Sequence, residues 1–284
     1  MRIFLISEAR QFCSQFIGLH GKSEGSLLEF YRLNLENKVS QLNEGTPIFN
    51  EYRDCLLRDV ERNLFFSVSN YRRSLDLMLP SSSHWAHVTS YYASFYCAKA
   101  FLGIFGGAIF EKVVIDVQNG TPGQQSLKIR KIGNRSGQIS STYNGSHRRF
   151  WDFFYRAVVQ LRPMVSPALS RCLTPIGGDK VWQIGMRNEI NYDSWLGLNL
   201  VSNFLNSFDK RTFPNSLPGV LSTQYGIVEN MLELSFLFVK QFGLNTDSLN
   251  RLSNIHNISG KINDLIYNTK APGLVSKTKK NTII

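Results

Sequence analysis

A short polar segment in the second half of the chain carries residue types that can bind phosphate groups. Arg187 and Asn188 are adjacent, and Tyr192 follows four positions after Asn188. On a helix with about 3.6 residues per turn, Asn188 and Tyr192 share one face and Arg187 lies at its edge. A guanidinium can donate two parallel hydrogen bonds to phosphate oxygens, and an amide or a phenol can add others. The other interpretation is a surface arginine that pairs with Glu189 or Asp193.

Two further segments are interpreted together with this short polar segment. Residues 90–102 mix tyrosine and phenylalanine with alanine, serine and cysteine, and residues 146–150 place His147 at the start of another helix. In this order, and followed by residues 187–193, they resemble the HEPN family of small helical proteins, many of which cut or bind RNA. The resemblance covers roughly residues 50–243 and points to the small HEPN proteins associated with minimal nucleotidyltransferases.

The resemblance implies a dimeric helical bundle in which residues of the motif helices meet at the dimer interface. In the family's ribonucleases a ribose 2′-hydroxyl attacks the neighbouring phosphate without a metal, which requires a base, a proton donor and a cation. Carried over by position, Arg187 would hold the phosphate, Asn188 would position it, and Tyr192 would stand where active members have histidine. The same resemblance gives supporting roles to Tyr92, His147 and Asp193.

The tyrosine at position 192 leaves two functional hypotheses open. Tyrosine has an ordinary pKa of about 10, so it is a poor base at neutral pH, although it can donate a proton or a hydrogen bond. The first hypothesis is a prokaryotic, cytoplasmic HEPN-like protein of a toxin–antitoxin or anti-phage defence system that binds RNA and cleaves it without metal. The second is a catalytically inactive HEPN module that binds a nucleotide or a partner protein and regulates a separate effector.

The composition indicates which partners and which cellular compartment to expect for this protein. The 284 residues carry a formal net charge of +11, which favours a polyanion such as RNA or a nucleotide. The four cysteines form no CxxC pair, as is typical of a reducing cytosol. His84 and His87 lack a nearby carboxylate, so we expect no metal and no cofactor. No apolar run reaches the ~18 residues that span a bilayer and no secretory signal is evident, so we expect a cytoplasmic protein without membrane contact.

A second group of basic residues surrounds a predicted β-hairpin and is a candidate nucleic-acid-binding cluster. Single-stranded nucleic acid is held by charge together with aromatic stacking, and Tyr143, Phe150 and Trp151 are interleaved with these residues. The alternative is a solvated basic loop that covers aromatic residues of the core. The cluster consists of Lys128, Arg130, Lys131, Arg135, Arg148 and Arg149.

The hydrophobic periodicity predicts a mainly α protein. We expect a HEPN-like helical bundle with an inserted β-hairpin at residues 111–132 and an N-terminal helical extension. The last helix is apolar on almost every side, which predicts cover by a second copy or a partner protein. Helices are predicted at residues 27–42, 49–79, 84–105 and 147–161, around Arg187, and at 225–242. The predicted domains are the extension (1–48), the bundle (49–243) and a C-terminal segment with a basic tail (244–284).

Overall fold

A computed structural model describes residues 1–16, 26–77, 82–192, 199, 202, 219–244, 251 and 254. Two predictions lie outside these residues. They are the supporting role of Asp193 and, apart from residues 244, 251 and 254, the C-terminal basic tail.

Helices make up most of the described chain. The α-helices are α1 (Ile6–Ser14), α2 (Leu27–Phe30), α3 (Pro47–Asp76), α4 (Ser83–Ile104), α5 (Ser146–Val158), α6 (Pro167–Ser170), α7 (Trp182–Tyr192) and α8 (Gly219–Gln241). A π-helical turn covers Tyr31–Leu35, and 3₁₀ turns cover Val159–Met164, Arg171–Leu173 and Ile176–Gly178. The strands are β1 (Gln41–Asn43), β2 (Ala108–Phe110), β3 (Val113–Asn119) and β4 (Ser126–Lys131).

The two long helices α3 and α4 confirm the helices predicted at residues 49–79 and 84–105. Thr46 caps the start of α3, because its hydroxyl oxygen accepts a hydrogen bond from the Phe49 amide at 3.3 Å, and Pro47 occupies the first helical position. At the end of α4, Gly106 adopts a φ of 75°. This left-handed residue closes the helix, and the Gly107 amide turns back to donate to the Leu102 carbonyl at 2.9 Å.

The predicted hairpin is present, but it is part of a larger antiparallel sheet with the strand order β1-β4-β3-β2. β1 adds to β4 with Leu42 opposite Leu127, and β2 adds to β3 with Ile109 opposite Val114. The prediction of one helix over residues 27–42 is therefore wrong at its C-terminal end. Asn37 stands in the left-handed region with a φ of 60°, which stops the helical path before β1 begins.

The chain divides into two compact units. The first unit comprises 1–63, 98–161 and 235–250, and the second comprises 64–97, 162–234 and 251–284. The first unit contains the sheet and α5, while the second contains α7. The first unit has an aromatic core in which the rings of Phe101, Phe105, Phe154 and Phe238 pack edge to face or tilted. The predicted domain boundaries at 48 and 243 stay predictions.

Candidate functional site

Helix α7 is held in the second unit by its own entry loop and by α4. The loop turns through Gly178 at a φ of 80°, and the Asp179 carboxylate then accepts a hydrogen bond from the Val181 amide at 2.9 Å. One turn before Arg187, the buried Gln183 side chain accepts a hydrogen bond of 2.6 Å from the Ser94 hydroxyl of α4. A buried polar contact of this kind fixes the rotation of α7 about its axis, because an unpaired amide there would be costly.

The Arg187 guanidinium is oriented by two hydrogen bonds. Its Nη2 donates to the phenol oxygen of Tyr92 on α4 at 2.7 Å, and its Nη1 donates to the Asn188 amide oxygen at 2.8 Å. Its Nε is buried and has no hydrogen-bond partner among the described residues. The side chain as a whole is half-buried. Each Nη carries two hydrogen atoms, so the fork keeps donor capacity for an oxyanion while its direction is set by the protein.

Three tyrosine rings surround this cation. The guanidinium carbon lies 5.6 Å from the ring centre of Tyr92, 5.9 Å from that of Tyr91 and 6.0 Å from that of Tyr192. These distances fall within the range of a cation–π interaction. Tyr91 is fully buried, whereas Tyr192 is 78% exposed. The cation thus stands between the core and a ring that faces solvent, an arrangement suited to an anionic group attached to a flat apolar one.

Four of the residues predicted for this site, Arg187, Asn188, Tyr192 and Tyr92, lie close together within the second unit, whereas the predicted supporting residue His147 belongs to the first unit. Arg187 contacts Asn188, Tyr92 and Tyr192, and it forms no ion pair with Glu189 within the described part of the chain. The interpretation of Arg187 as a surface arginine paired with Glu189 is therefore wrong, and the alternative pairing with Asp193 lies outside the described residues. The catalytic and supporting roles themselves stay predictions.

Sequence reasoning missed Tyr91 as a member of this site. Its ring lies 5.3 Å from that of Tyr92 and forms the buried wall behind the guanidinium. Its position beside Tyr92 in the aromatic segment was the available signal. A helical pattern assigns such a ring to the core, and here it belongs both to the core and to the site.

The candidate nucleic-acid-binding cluster around the hairpin, called the hairpin cluster from here on, lies in the first unit. Three of its six side chains already contact other residues of that unit. Arg130 forms an ion pair with the buried Asp116 carboxylate. Lys131 donates to the Asn37 side chain at 2.9 Å, and the Arg149 Nε donates to the Tyr143 carbonyl at 3.2 Å. The exposed members are Lys128, Lys131, Arg135 and Arg148. His147 belongs to α5 of the same unit and is half-buried. Nucleic-acid binding by the cluster stays a prediction.

The burial of the aromatic residues near this cluster shows whether they are free to stack on bases or belong to the core. Phe150 is 3% exposed and Trp151 is fully buried, with their ring centres 5.5 Å apart. They are core residues of α5 and do not present faces to a base, so the alternative of core aromatics beneath a basic loop holds for both. Tyr143 is half-buried.

Three further features bear on the chemistry that is available to the described residues. Among the described residues, no group of three or more His, Cys, Asp and Glu side chains is arranged to hold a metal ion. None of the helices in the described part is both long and apolar enough to cross a membrane. The four cysteines are buried and are not joined in disulfides.

Comparisons with family models, with curated proteins and with solved structures give no match for this chain. A function can therefore be inferred only from the residues around Arg187 and from the resemblance that the sequence motifs carry.

Proposed function

We propose that the chain is a cytoplasmic, HEPN-like RNA-binding protein of a prokaryotic toxin–antitoxin or anti-phage defence system. In this proposal Arg187 binds an RNA phosphate, Asn188 and Tyr92 hold the guanidinium in place, and Tyr192 offers its exposed ring to the adjoining base. RNA is preferred to other polyanions because a charge and a flat aromatic face are presented side by side. The protein acts as a homodimer or with a cognate partner protein.

The observation that carries the proposal is the fixed guanidinium between Tyr92 and Asn188. Arginine side chains lose rotamer entropy when they bind, and a side chain that is already oriented loses less. The hydrogen bonds at 2.7 Å and 2.8 Å supply this orientation without neutralising the charge, since both acceptors are uncharged oxygens. A guanidinium held by a carboxylate would attract phosphate much less strongly.

Cleavage of the bound RNA without metal is the catalytic form of the proposal. It requires a base for the 2′-hydroxyl, and Tyr192 occupies the position at which the family resemblance expects histidine. No imidazole forms a hydrogen bond with Arg187 or Asn188 among the described residues. This observation favours the second candidate function, a catalytically inactive HEPN module that binds a nucleotide or a partner protein and regulates a separate effector. RNA stands in for the nucleotide in the test that follows.

The proposal is tested by binding and cleavage assays on bulk cellular RNA, with and without a chelator. We expect Arg187→Ala to weaken RNA binding about fivefold to tenfold or more, as removal of one positioned phosphate contact does. The matched control is Arg32→Ala, which removes an exposed arginine of the first unit that pairs with Glu111 at 2.5 Å. We expect this control to bind RNA as the wild type does.

The outcomes separate the two candidates. Cleavage that persists in chelator and disappears in Arg187→Ala supports the ribonuclease. Binding without cleavage, lost in the same variant, supports the non-catalytic module. Equal binding by the wild type and Arg187→Ala would contradict both.

A further inference from the structure

Helix α4 presents an outward stripe that runs past the Arg187 site. Trp85, Thr89, Tyr92 and Tyr96 are separated by four, three and four positions, so they lie on one helix face. Trp85 is 52% exposed and the other three are half-buried, whereas their neighbours Ala86, Val88, Tyr91 and Ala93 are buried. The stripe is thus the solvent side of the helix, and three of its four residues are aromatic.

The stripe continues through ring contacts onto α3 within the second unit. The Tyr96 ring lies 6.4 Å from that of Tyr92 and 5.3 Å from that of Phe66, which in turn lies 6.0 Å from Phe65. Phe65 and Phe66 are 54% and 47% exposed. We call Phe65, Phe66, Tyr96, Tyr92 and Tyr192 the aromatic row; Arg187 joins its last two members.

The charge beside the aromatic row is positive. Arg72 and Arg73 follow Phe65 and Phe66 by seven positions, which places them on the same face of α3 two turns further on, and both are exposed. The first acidic residue after Phe65 on α3 is Asp76, which is exposed at the end of the helix. On α7, Glu189 is an exposed carboxylate two positions from Arg187, but it forms no ion pair with it. Arginine therefore accompanies the row on both α3 and α7.

Exposed aromatic rings that touch one another require an explanation. Large apolar side chains usually gather on a surface only where they bind something. Single-stranded RNA fits this surface on two counts: unpaired bases stack on rings, and arginines hold the backbone between them. A duplex fits less well, because its bases are already stacked and paired.

We propose that the aromatic row is a stacking platform for the unpaired bases of single-stranded RNA, with Arg187, Arg72 and Arg73 contacting its phosphates. This inference rests on the proposed function, in which Arg187 binds an RNA phosphate, and it specifies the kind of RNA. A second copy of the chain that covered the whole row would bring Arg72 and Arg73 of the two copies together, so we expect a dimer contact at Arg187 to leave the rest of the row open to RNA.

The test compares a 12-nucleotide single-stranded RNA with a duplex of the same sequence by fluorescence anisotropy. Three substitutions at one position separate stacking from apolar burial: Phe66→Tyr keeps the ring, Phe66→Leu keeps apolar volume, and Phe66→Ala keeps neither. We expect the single strand to bind at least about tenfold more tightly than the duplex. We also expect a loss of about fivefold or more in both Phe66→Leu and Phe66→Ala, with Phe66→Tyr close to the wild type.

Leu33→Ala serves as the control, since Leu33 is 62% exposed and belongs to the first unit. We expect it to leave RNA affinity unchanged. Circular dichroism confirms that each variant is folded before its affinity is compared.

Each outcome identifies which claim fails. If Arg187→Ala weakens RNA binding but the three Phe66 variants equal the wild type, the proposed function stands and the platform is overturned. If Phe66→Leu equals the wild type while Phe66→Ala does not, the contact is apolar burial and stacking is overturned. If Phe66→Ala converts a dimer to a monomer in sedimentation and leaves RNA affinity unchanged, the row is a self-association face. If neither RNA binds to the wild type, both claims fail.

Discussion

At the residue scale, the buried imidazole of His87 makes the stability of the fold depend on pH. Burial lowers the pKa of His87 to about 4 from an ordinary value of 6.5. The folded state therefore binds the proton less tightly than the unfolded state. The stabilising contribution is present in full above about pH 6.5 and is lost as the pH falls through about 4.

We expect the free energy of unfolding to fall by on the order of 1–2 kcal/mol between about pH 7 and about pH 5 because of this one group. Urea denaturation at the two pH values measures the difference. His87→Leu should remove most of it. Val88→Ala alters a neighbouring buried position without a titratable group, so it should lower stability equally at both. An unchanged pH dependence in His87→Leu would show that other groups are responsible.

Single residues also show what spacing can predict about a site. Arg187, Asn188 and Tyr192 could be grouped from the sequence because their proximity follows from helical geometry alone. The contact between Arg187 and the Tyr92 hydroxyl joins residues 95 positions apart, so only the family resemblance indicated it. Arg130 shows the opposite case. It looked free for RNA, but strand pairing brings it to the buried Asp116, a partner on a different strand.

At the element scale, α3 and the hairpin were predictable because each repeats one period over many residues. Helix α4 was predictable because residues 84–102 contain no glycine or proline and glycines follow them. Strand β1 was not, because three residues are too few to show alternation and only Leu42 points inward. Its strand conformation is induced by pairing with β4, where it joins by an antiparallel register. A tertiary contact of this kind leaves no local pattern to read.

The end of α4 gives a test of how tightly that element packs in the first unit. Gly106 has a φ of 75°, and a Cβ there would run into the buried Phe4 ring. Gly123 has a φ of 81° in the hairpin turn, with open space where its Cβ would be. We expect Gly106→Ala to cost about 2–4 kcal/mol, from backbone strain plus overpacking. Gly123→Ala should cost only about 1 kcal/mol, from strain alone.

Thermal and urea denaturation of the two variants measure this difference. Similar losses in both would mean that Phe4 moves aside without cost. A larger loss at Gly106 shows that the ring is held firmly by its surroundings.

At the scale of the whole molecule, the count of 32 lysine and arginine residues overstates the number of cations available to a partner. Ion pairs with carboxylates already engage several arginines of the described chain. They are Arg32, Arg53, Arg58, Arg62, Arg130 and Arg156. Composition therefore indicates a polyanionic partner, but the positions of the carboxylates decide which cations can meet it. This is why the hairpin cluster could be predicted as a group and not residue by residue.

The dependence of RNA affinity on salt counts the cations that contact phosphate. Each such contact to a single strand contributes about 0.7 to the slope of the logarithm of the binding constant against that of the salt concentration. We expect Arg187→Ala to lower the slope by about 0.7, and Lys128→Ala combined with Arg148→Ala to lower it by about 1.4. Arg62→Ala is the control, because Arg62 lies 3.2 Å from the Asp59 carboxylate. It should leave the slope unchanged.

The slopes of Arg187→Ala and of the Lys128→Ala and Arg148→Ala pair show whether one unit or both units contact the RNA phosphates. A slope that falls only in Arg187→Ala means that phosphate contact is confined to the second unit and that the hairpin cluster is a solvated surface. A slope that falls in both sets of variants means that each unit contacts the RNA backbone. In that case the exposed Lys128 and Arg148 contribute affinity without sequence preference, since phosphate contacts position RNA and do not distinguish its bases.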